Sequence, residues 1–292
     1  FWVVTALDFE QAGKRVGSLT VNRILLVLAL GFLGIYTSFR RGMFFPLDAT
    51  WHNWFWLSLS GLVGFVVGDL FLFKAYVEVG ARISLLIMSL APPIAAFTSW
   101  LALGETLSWM NFFGMVLTLG GIALVVLERN PESKTEDSPE LKKRRIKFSF
   151  GLTGLLFAFG GAVGQGLGLV LSKYGMQGYD SFASTQIRII TGVIGFAMIY
   201  TWLKRWGGFK KAVNNHKAMW FVVLGSVFGP FLGVSFSLIS VKYTSAGIAA
   251  TIMSIMPVLI IPPAIIFNKE KVSLKEVVGA VIAIVGVASF FL

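Results

Sequence analysis

Long runs of apolar residues, separated by short polar segments, dominate the chain. A helix needs about 20 mostly apolar residues to cross the hydrocarbon core of a bilayer. The pattern therefore predicts a membrane-spanning helix in each run of that length. These runs cover residues 19–38, 54–76, 83–103, 108–127, 149–171, 182–203, 218–241, 245–267 and 274–292. A further apolar run at residues 1–7 is too short to span a bilayer on its own.

The two halves of the chain repeat each other at an offset of 165 residues. Residues 64–127 align with residues 229–292 without a gap, and 16 of the 64 positions are identical. The identities include glycines and prolines, which shape a helix backbone, and this indicates a duplicated fold. The pairs include Gly64 with Gly229, Gly68 with Gly233, Pro92 with Pro257, Gly114 with Gly279, and Gly121 with Gly286.

The repeat also indicates which helix the short apolar run at residues 1–7 belongs to. The same offset places Phe1 inside the predicted span 149–171, so we expect residues 1–7 to be the second part of span 1. Each half then contains five spans, and an odd number makes the second half enter the membrane from the opposite side. The predicted fold is an all-α membrane protein. Its ten transmembrane helices form two inverted five-helix repeats, with the first helix truncated at its N-terminus. Inverted repeats are typical of secondary transporters, whose site lies near the membrane midplane.

A charged segment separates the two repeats. Residues 128–148 contain two prolines and a dense mixture of acidic and basic residues, which is typical of a solvated linker. The predicted organisation is a first repeat at residues 1–127 and a second repeat at residues 149–292.

The composition supports a membrane protein and excludes several other classes. Hydrophobic residues make up 56% of the chain and charged residues only 13%, against about 25% charged in an ordinary soluble domain. This excludes a soluble enzyme and a disordered chain, and the absence of cysteine excludes disulfides and thiolate metal sites. The net charge of +11 does not indicate nucleic-acid binding, because the basic residues lie in short clusters between the apolar runs.

Basic residues between the spans predict an orientation. Of the 25 lysines and arginines, 18 follow spans 1, 3, 5, 7 and 9, and four follow spans 2, 4, 6 and 8. The positive-inside rule then places the first set in the cytoplasm and both termini outside.

The stretch at residues 83–128, ISLLIMSLAPPIAAFTSWLALGETLSWMNFFGMVLTLGGIALVVLE, and its echo at residues 248–287 carry a family resemblance. A proline in the fourth helix, a Gly-Glu turn and a glycine-bearing fifth helix resemble the ten-helix EamA branch of the drug/metabolite transporter superfamily. The resemblance implies export or exchange of small metabolites and a cavity lined mainly by helices 1, 3, 4, 6, 8 and 9. It also implies a prokaryotic cytoplasmic membrane with both termini inside, opposite to the charge count. It does not identify the substrate.

A Met-Ser-x-x-Pro element occurs once in each half and is the first candidate for the cavity. A proline inside a helix removes a hydrogen bond and displaces the carbonyl four residues back. The functional interpretation is a bend at the midplane that presents backbone and hydroxyl groups to a substrate; the alternative is a static kink. The residues concerned are Met88, Ser89, Pro92, Met253, Ser254 and Pro257.

Polar residues within the apolar spans provide the other candidates. Asp69 could bind protons for coupling, contact a cationic substrate group, or pair with Lys74 or Arg23; Gln165 is the strongest uncharged candidate. Arg23 and Arg188 could bind an anion, but extension to the lipid headgroups is the favoured interpretation for both. Lys74 is expected in an ion-pair ladder at the membrane face, and Trp2 could face the cavity.

The predicted function is a secondary active transporter that moves a small metabolite by alternating access, with no enzyme activity, cofactor or metal. The predicted partners are a small-molecule substrate, the lipid bilayer and, if Asp69 is the coupling group, protons. The chain would act as a monomer or homodimer. The main alternative is a lipid or lipid-linked metabolite flippase on the same scaffold. A membrane-embedded enzyme and a channel are weaker alternatives, because no catalytic set of residues is found and the paired prolines favour a gated design.

Overall fold

A computed structural model describes residues 18–79, 84, 87–128, 152–202, 214–259, 262 and 273–289. All regular secondary structure in this part of the chain is helical. The helices are α1 (Ser18–Arg41), α2 (Trp51–Gly61), α3 (Asp69–Glu78), α4 (Ala91–Leu103), α5 (Trp109–Glu128), α6 (Leu152–Met176), α7 (Ser181–Trp202), α8 (His216–Ser226), α9 (Val234–Tyr243), α10 (Ala246–Met253), α11 (Met256–Leu259) and α12 (Leu274–Ala288).

Five helical stretches in the described residues are long and apolar enough to cross a membrane. Two shorter apolar helices, Ala91–Leu103 and Trp109–Val125, add to these. The prediction of an all-α membrane protein is confirmed at this level. Residues 1–17, which include predicted span 1, lie outside the described residues, so ten helices in an inverted arrangement stay a prediction. The five long stretches are Thr20–Arg41, Trp51–Leu72, Leu152–Met176, Ser181–Trp202 and His216–Tyr243.

Two of these stretches contain a π-helical segment in the middle. Leu62–Gly68, here π1, joins α2 to α3, and Val227–Gly233, here π2, joins α8 to α9. Every boundary of the first composite helix recurs 165 residues later in the second. Positions that are 165 residues apart in these two stretches therefore share the same local backbone geometry. Pro230 lies within π2, where a wider turn accommodates a residue that lacks an N–H group.

The Met-Ser-x-x-Pro elements interrupt their helices more completely than a bend would. Ser89 and Leu90 form a turn, and Pro92 lies in the first turn of α4. In the second half α10 ends at Met253, and α11 begins after a turn. The prediction of prolines inside continuous helices is therefore wrong. A proline in a first helical turn costs little, because its missing N–H would have no partner within the helix.

Repeat-related helices pack against each other in antiparallel directions. A Cβ atom on Gly121 of α5 would lie 2.5 Å from the Gly279 carbonyl oxygen, and one on Gly286 would lie 2.8 Å from the Gly114 carbonyl oxygen. Gly121 thus lies against Gly279, and Gly114 lies against Gly286. The chain direction of α5 is therefore opposite to that of α12, its repeat mate. Only residues without a side chain allow the two backbones to approach this closely.

A second long contact joins the two halves and positions the polar residues described below. The composite helix α2–π1–α3 runs antiparallel along α6, with Gly68 against Gly164 and Ser60 hydrogen-bonded at 2.6 Å to the carbonyl oxygen of Gly168. A Cβ on Gly164 would lie 2.7 Å from the Cα of Gly68. This close approach brings Asp69, the residue after π1, to the surface of α6.

Candidate functional site

One polar side chain from each of four helices meets inside the bundle. Asn22 comes from α1, Asp69 from the start of α3, Gln165 from α6 and Arg188 from α7. The first two belong to the first half of the chain and the other two to the second half. We call these four residues the polar cluster. It lies at the contact between the halves, within helices that are otherwise mostly apolar.

Gln165 links the polar cluster to the π-helical segment. Its Nε2 donates a hydrogen bond to Asp69 Oδ1 at 3.1 Å and a longer one to the Gly64 carbonyl oxygen at 3.4 Å. Gly64 belongs to π1, and Asp69 follows π1 directly. π-Helical turns widen a helix locally and are frequent at functional sites. Both Asp69 and Gln165 keep part of their surface exposed.

Arg188 supplies a buried positive charge beside this carboxylate. The residue is only 5% exposed, and its guanidinium carbon lies 4.7 Å from the centre of the Phe65 ring. It is close enough for its charge to act on Asp69, yet no nitrogen–oxygen contact within 4 Å joins the two residues. An ionisable pair at this depth is expensive to bury and is a marker of function in membrane proteins.

Two buried donors of the polar cluster lack hydrogen-bond partners among the described residues. They are Nε of Arg188 and Nδ2 of Asn22, whose residues are 5% and 6% exposed. The Asn22 side chain lies beside the Asp69 carboxylate, but its amide nitrogen makes no bond of good geometry. A buried donor left unsatisfied costs about 1–3 kcal/mol. The cluster therefore has unused capacity to bind an acceptor.

The structure brings together three of the residues that the sequence singled out, Asp69, Gln165 and Arg188. Other candidates make different contacts: the Ser254 hydroxyl donates to the Thr251 carbonyl oxygen at 2.8 Å, and Met253 packs on the core around Leu57. The Met88 sulfur lies 3.4 Å from where a Cβ on Gly161 would be, Ser89 is half-buried, and Pro92 is buried in α4. Trp2 and the Pro257 side chain lie outside the described residues.

The basic candidates separate into one buried and two peripheral residues. Arg188 is buried between helices, so the expectation that it extends to the headgroups is wrong. Arg23, its repeat mate, instead lies over the Tyr200 ring at 5.3 Å. Lys74 is exposed over the Phe157 ring at 4.9 Å and is not the partner of Asp69.

Sequence reasoning missed Asn22. Its signal was present, because an amide side chain inside the apolar run 19–38 has the same cost of burial as Gln165. Only the packing of α1 against the other helices reveals that Asn22 faces Asp69.

Polar contacts between the halves lie at one end of the bundle. Glu105, in the loop after α4, forms an ion pair with Lys173 of α6 and accepts a hydrogen bond from the Ala246 N–H at 2.9 Å. Glu105 thus binds both a basic residue and a backbone amide of the second half. The Ser108 hydroxyl accepts a hydrogen bond from the Asn111 N–H at 3.1 Å, as an N-cap residue does.

A second set of contacts lies at the same end. Arg41 pairs with Asp48, and the Tyr179 hydroxyl donates to Asp48 Oδ1 at 2.7 Å. Burial raises the pKa of Tyr179 to about 12, so this hydroxyl stays protonated at neutral pH and remains a donor. We call these two sets of contacts the end network.

Glu105→Ala is expected to loosen the first turn of α10. A charge-assisted hydrogen bond contributes about 1.5–3 kcal/mol, so amide exchange at Ala246 should accelerate about tenfold or more. Glu105→Gln keeps an acceptor oxygen and should show a smaller effect. Hydrogen–deuterium exchange measured on peptides covering Ala246 tests this. The first turn of α12, capped by its own Ser273 and Glu276, is the internal control. Equal exchange in wild type and Glu105→Ala would show that this contact does not hold α10.

Comparison with known proteins identifies a curated relative of part of the chain and a solved structure with a similar fold. A curated relative is an uncharacterized membrane protein of Saccharomyces cerevisiae, 27% identical over 156 residues. The match covers 50% of this chain but only 36% of the yeast protein. A solved crystal structure covers 99% of this chain and 94% of its own, with a TM-score of 0.69 and 18% sequence identity. At that identity the likeness concerns the fold alone.

The family assignment rests on both halves. Residues 1–127 and 152–292 each match the EamA-like transporter family, and only the charged segment between them is left out. This agrees with the resemblance to the drug/metabolite transporters seen in the sequence, and with the apolar helices of the fold. The chain therefore belongs to the EamA-like transporter family.

Proposed function

We propose that this protein is a secondary active transporter that exports or exchanges a small metabolite by alternating access. The solute is amino acid-like, nucleotide- or sugar-like, or drug-like. The polar cluster carries the proposal, because four polar side chains from both halves converge within apolar helices. Such a cluster offers a solute directed contacts where the bilayer offers none.

The proposed architecture is ten helices in two inverted repeats. The repeat mates α5 and α12 pack in antiparallel directions, which supports this architecture. Inverted repeats are related by a two-fold axis perpendicular to the helices, and such an axis makes repeat mates antiparallel. The recurrence of the π-helical segments at the repeat offset supports it further. In transporters built this way, access alternates by movement of one repeat against the other around a fixed site.

In the proposed cycle the end network must break for solute to pass. Its contacts run from Glu105 and Asp48 in the first half to Lys173 and Tyr179 in the second. The turns at Ser89 and Ser254 are the proposed points of bending, since the tighter bonds from Leu90 to Ile87 and from Ile255 to Ile252 replace regular helical hydrogen bonds there. The first turn is flanked by Met88 and Pro92, and the second by Met253 and Pro257.

Asp69 is the proposed coupling residue. It is an ionisable group at depth, with a neutral donor on one side and a positive charge on the other. Taking up or losing a proton would change its attraction for Arg188 and thus the energy of the contact between the halves. Contact with a cationic solute group is the alternative role.

Flux measurements in proteoliposomes test the proposal. The purified chain is reconstituted and assayed for uptake and counterflow with a metabolite panel, with and without a pH gradient. Accumulation or exchange of a solute supports the transporter. Absence of any solute flux together with measurable lipid scrambling would instead favour the lipid or lipid-linked metabolite flippase. We also propose that the protein lies in a prokaryotic cytoplasmic membrane, although its curated relative comes from yeast.

A further inference from the structure

The unsatisfied donors of the polar cluster point to the chemistry of its ligand. Arg188 Nε and Asn22 Nδ2 both belong to residues more than nine-tenths buried, and neither has a partner among the described residues. Both side chains adjoin Asp69 from different helices. We infer that Arg188 and Asn22 form a subsite for the carboxylate group of the transported solute, an inference that rests on the proposed transport function.

The guanidinium is suited to a carboxylate. Nε and the neighbouring Nη present two parallel N–H groups, which match the two oxygens of a carboxylate. Packing on the Phe65 ring at 4.7 Å restricts the plane of the group, and a Cβ on Gly64 would lie only 3.3 Å from the Arg188 Nη2 atom. Among the described residues no carboxylate lies within 4 Å of the Arg188 guanidinium, Asp69 included, so none of them already forms an ion pair with it.

Charge balance narrows the class of solute. Asp69 and Arg188 together carry no net charge, so a bound carboxylate adds one uncompensated negative charge in a medium of low dielectric. Either the solute brings its own ammonium group, which faces Asp69, or Asp69 carries a proton when a simple carboxylic acid binds. A phosphate dianion would double the excess charge and is disfavoured. The ligand is therefore an amino acid-like zwitterion or a monocarboxylic acid.

Matched pairs of acids and amides test the subsite. The full chain, purified in detergent, is assayed by thermal shift with acetate and acetamide, benzoate and benzamide, and alanine and alaninamide. At least one acid is expected to stabilise the protein while its amide does not. Arg188→Gln should weaken apparent affinity about tenfold or more, because a charge-assisted fork is lost. Arg40→Gln, at an exposed position at the end of α1, is the matched control.

Asp69→Asn distinguishes an amino acid-like zwitterion from a monocarboxylic acid as the ligand. It should preserve binding of acetate or benzoate, because the competing negative charge is gone, and weaken binding of alanine, whose ammonium group loses its partner. If Arg188→Gln fails to fold by size-exclusion chromatography, Asn22→Leu removes the other donor at similar volume and should weaken binding several-fold.

Three results would overturn the subsite: stabilisation by amides as strong as by acids, no stabilisation by any acid, or unchanged affinity in the folded Arg188 or Asn22 variant. Flux of a neutral or cationic solute that Arg188→Gln leaves unchanged would also overturn it, without affecting the transporter proposal. Conversely, acid binding that depends on Arg188, with no flux of any solute in proteoliposomes, would contradict transport and leave the subsite standing.

Discussion

Asp69→Asn is expected to abolish transport driven by a pH gradient while leaving solute counterflow in place. Asparagine has nearly the same shape and can still accept the hydrogen bond that Gln165 donates at 3.1 Å. It cannot take up or release a proton, so the cycle loses its link to the gradient. Counterflow exchanges solute for solute and needs only the binding and reorientation steps, and it is measured at saturating solute so that a weaker affinity does not limit its rate. Both rates are measured in the same proteoliposomes.

Two variants support the interpretation of that result. Glu78→Gln removes an exposed carboxylate from the same helix and should leave both rates unchanged. Asp69→Glu keeps a titratable group and should retain part of the gradient-driven rate. A pH dependence in Asp69→Asn equal to that of the wild type would end the coupling hypothesis. Loss of folded protein in Asp69→Asn would favour a structural pairing with Arg188, because removing one partner of a buried pair leaves an uncompensated charge.

Gly121→Ala is expected to cause a large loss of stability, whereas the same methyl addition at Gly120 is not. The new Cβ would lie 2.5 Å from both the Gly279 carbonyl oxygen and the Ala283 backbone nitrogen. Backbone atoms cannot move aside as a flexible side chain can, so α5 and α12 must separate. Overpacking of this kind costs about 1–3 kcal/mol, occasionally more. Thermal denaturation of the purified protein measures it.

The neighbouring glycine is a matched control. A Cβ on Gly120 meets nothing within 4 Å, so Gly120→Ala adds the same methyl group to the same helix without a clash. Its melting temperature should equal or exceed that of the wild type. Gly286→Ala, the repeat mate of Gly121→Ala, should lose a similar amount, because its Cβ would lie 2.5 Å from the Thr118 backbone nitrogen. Equal stability of Gly120→Ala and Gly121→Ala would show that close approach of α5 and α12 is not required.

The positions of the long helices could be predicted from hydropathy, because a bilayer imposes a minimum apolar length on each span. The predicted runs 149–171 and 182–203 differ by only a few residues from Leu152–Met176 and Ser181–Trp202. The segments π1 and π2 could not be predicted. A single wider turn hardly changes the hydrophobic pattern, so nothing in the composition of Leu62–Gly68 distinguishes it from an α-helix.

The candidate site was predictable in part. Asp69 and Gln165 stood out because polar groups in apolar spans are expensive, and that argument depends on sequence alone. Their partners depend on which helices pack together. Arg188 and its repeat mate Arg23 look equivalent in the sequence, yet one is buried beside Asp69 and the other lies on the Tyr200 ring. In the second half Val234 occupies the position that corresponds to Asp69, so the two repeats differ in charge at this position.

The most direct test of the account is the side of the membrane on which repeat-related positions lie. Trp51 and His216 are 165 residues apart, begin α2 and α8, and are both exposed. The chain contains no cysteine, so Trp51→Cys and His216→Cys each introduce a single thiol. Labelling with a membrane-impermeant maleimide is measured on intact cells and after permeabilisation, with the cysteine-free wild type as control. Inverted repeats predict that one variant is labelled from outside and the other only after permeabilisation; labelling of both variants from the same side would contradict the account.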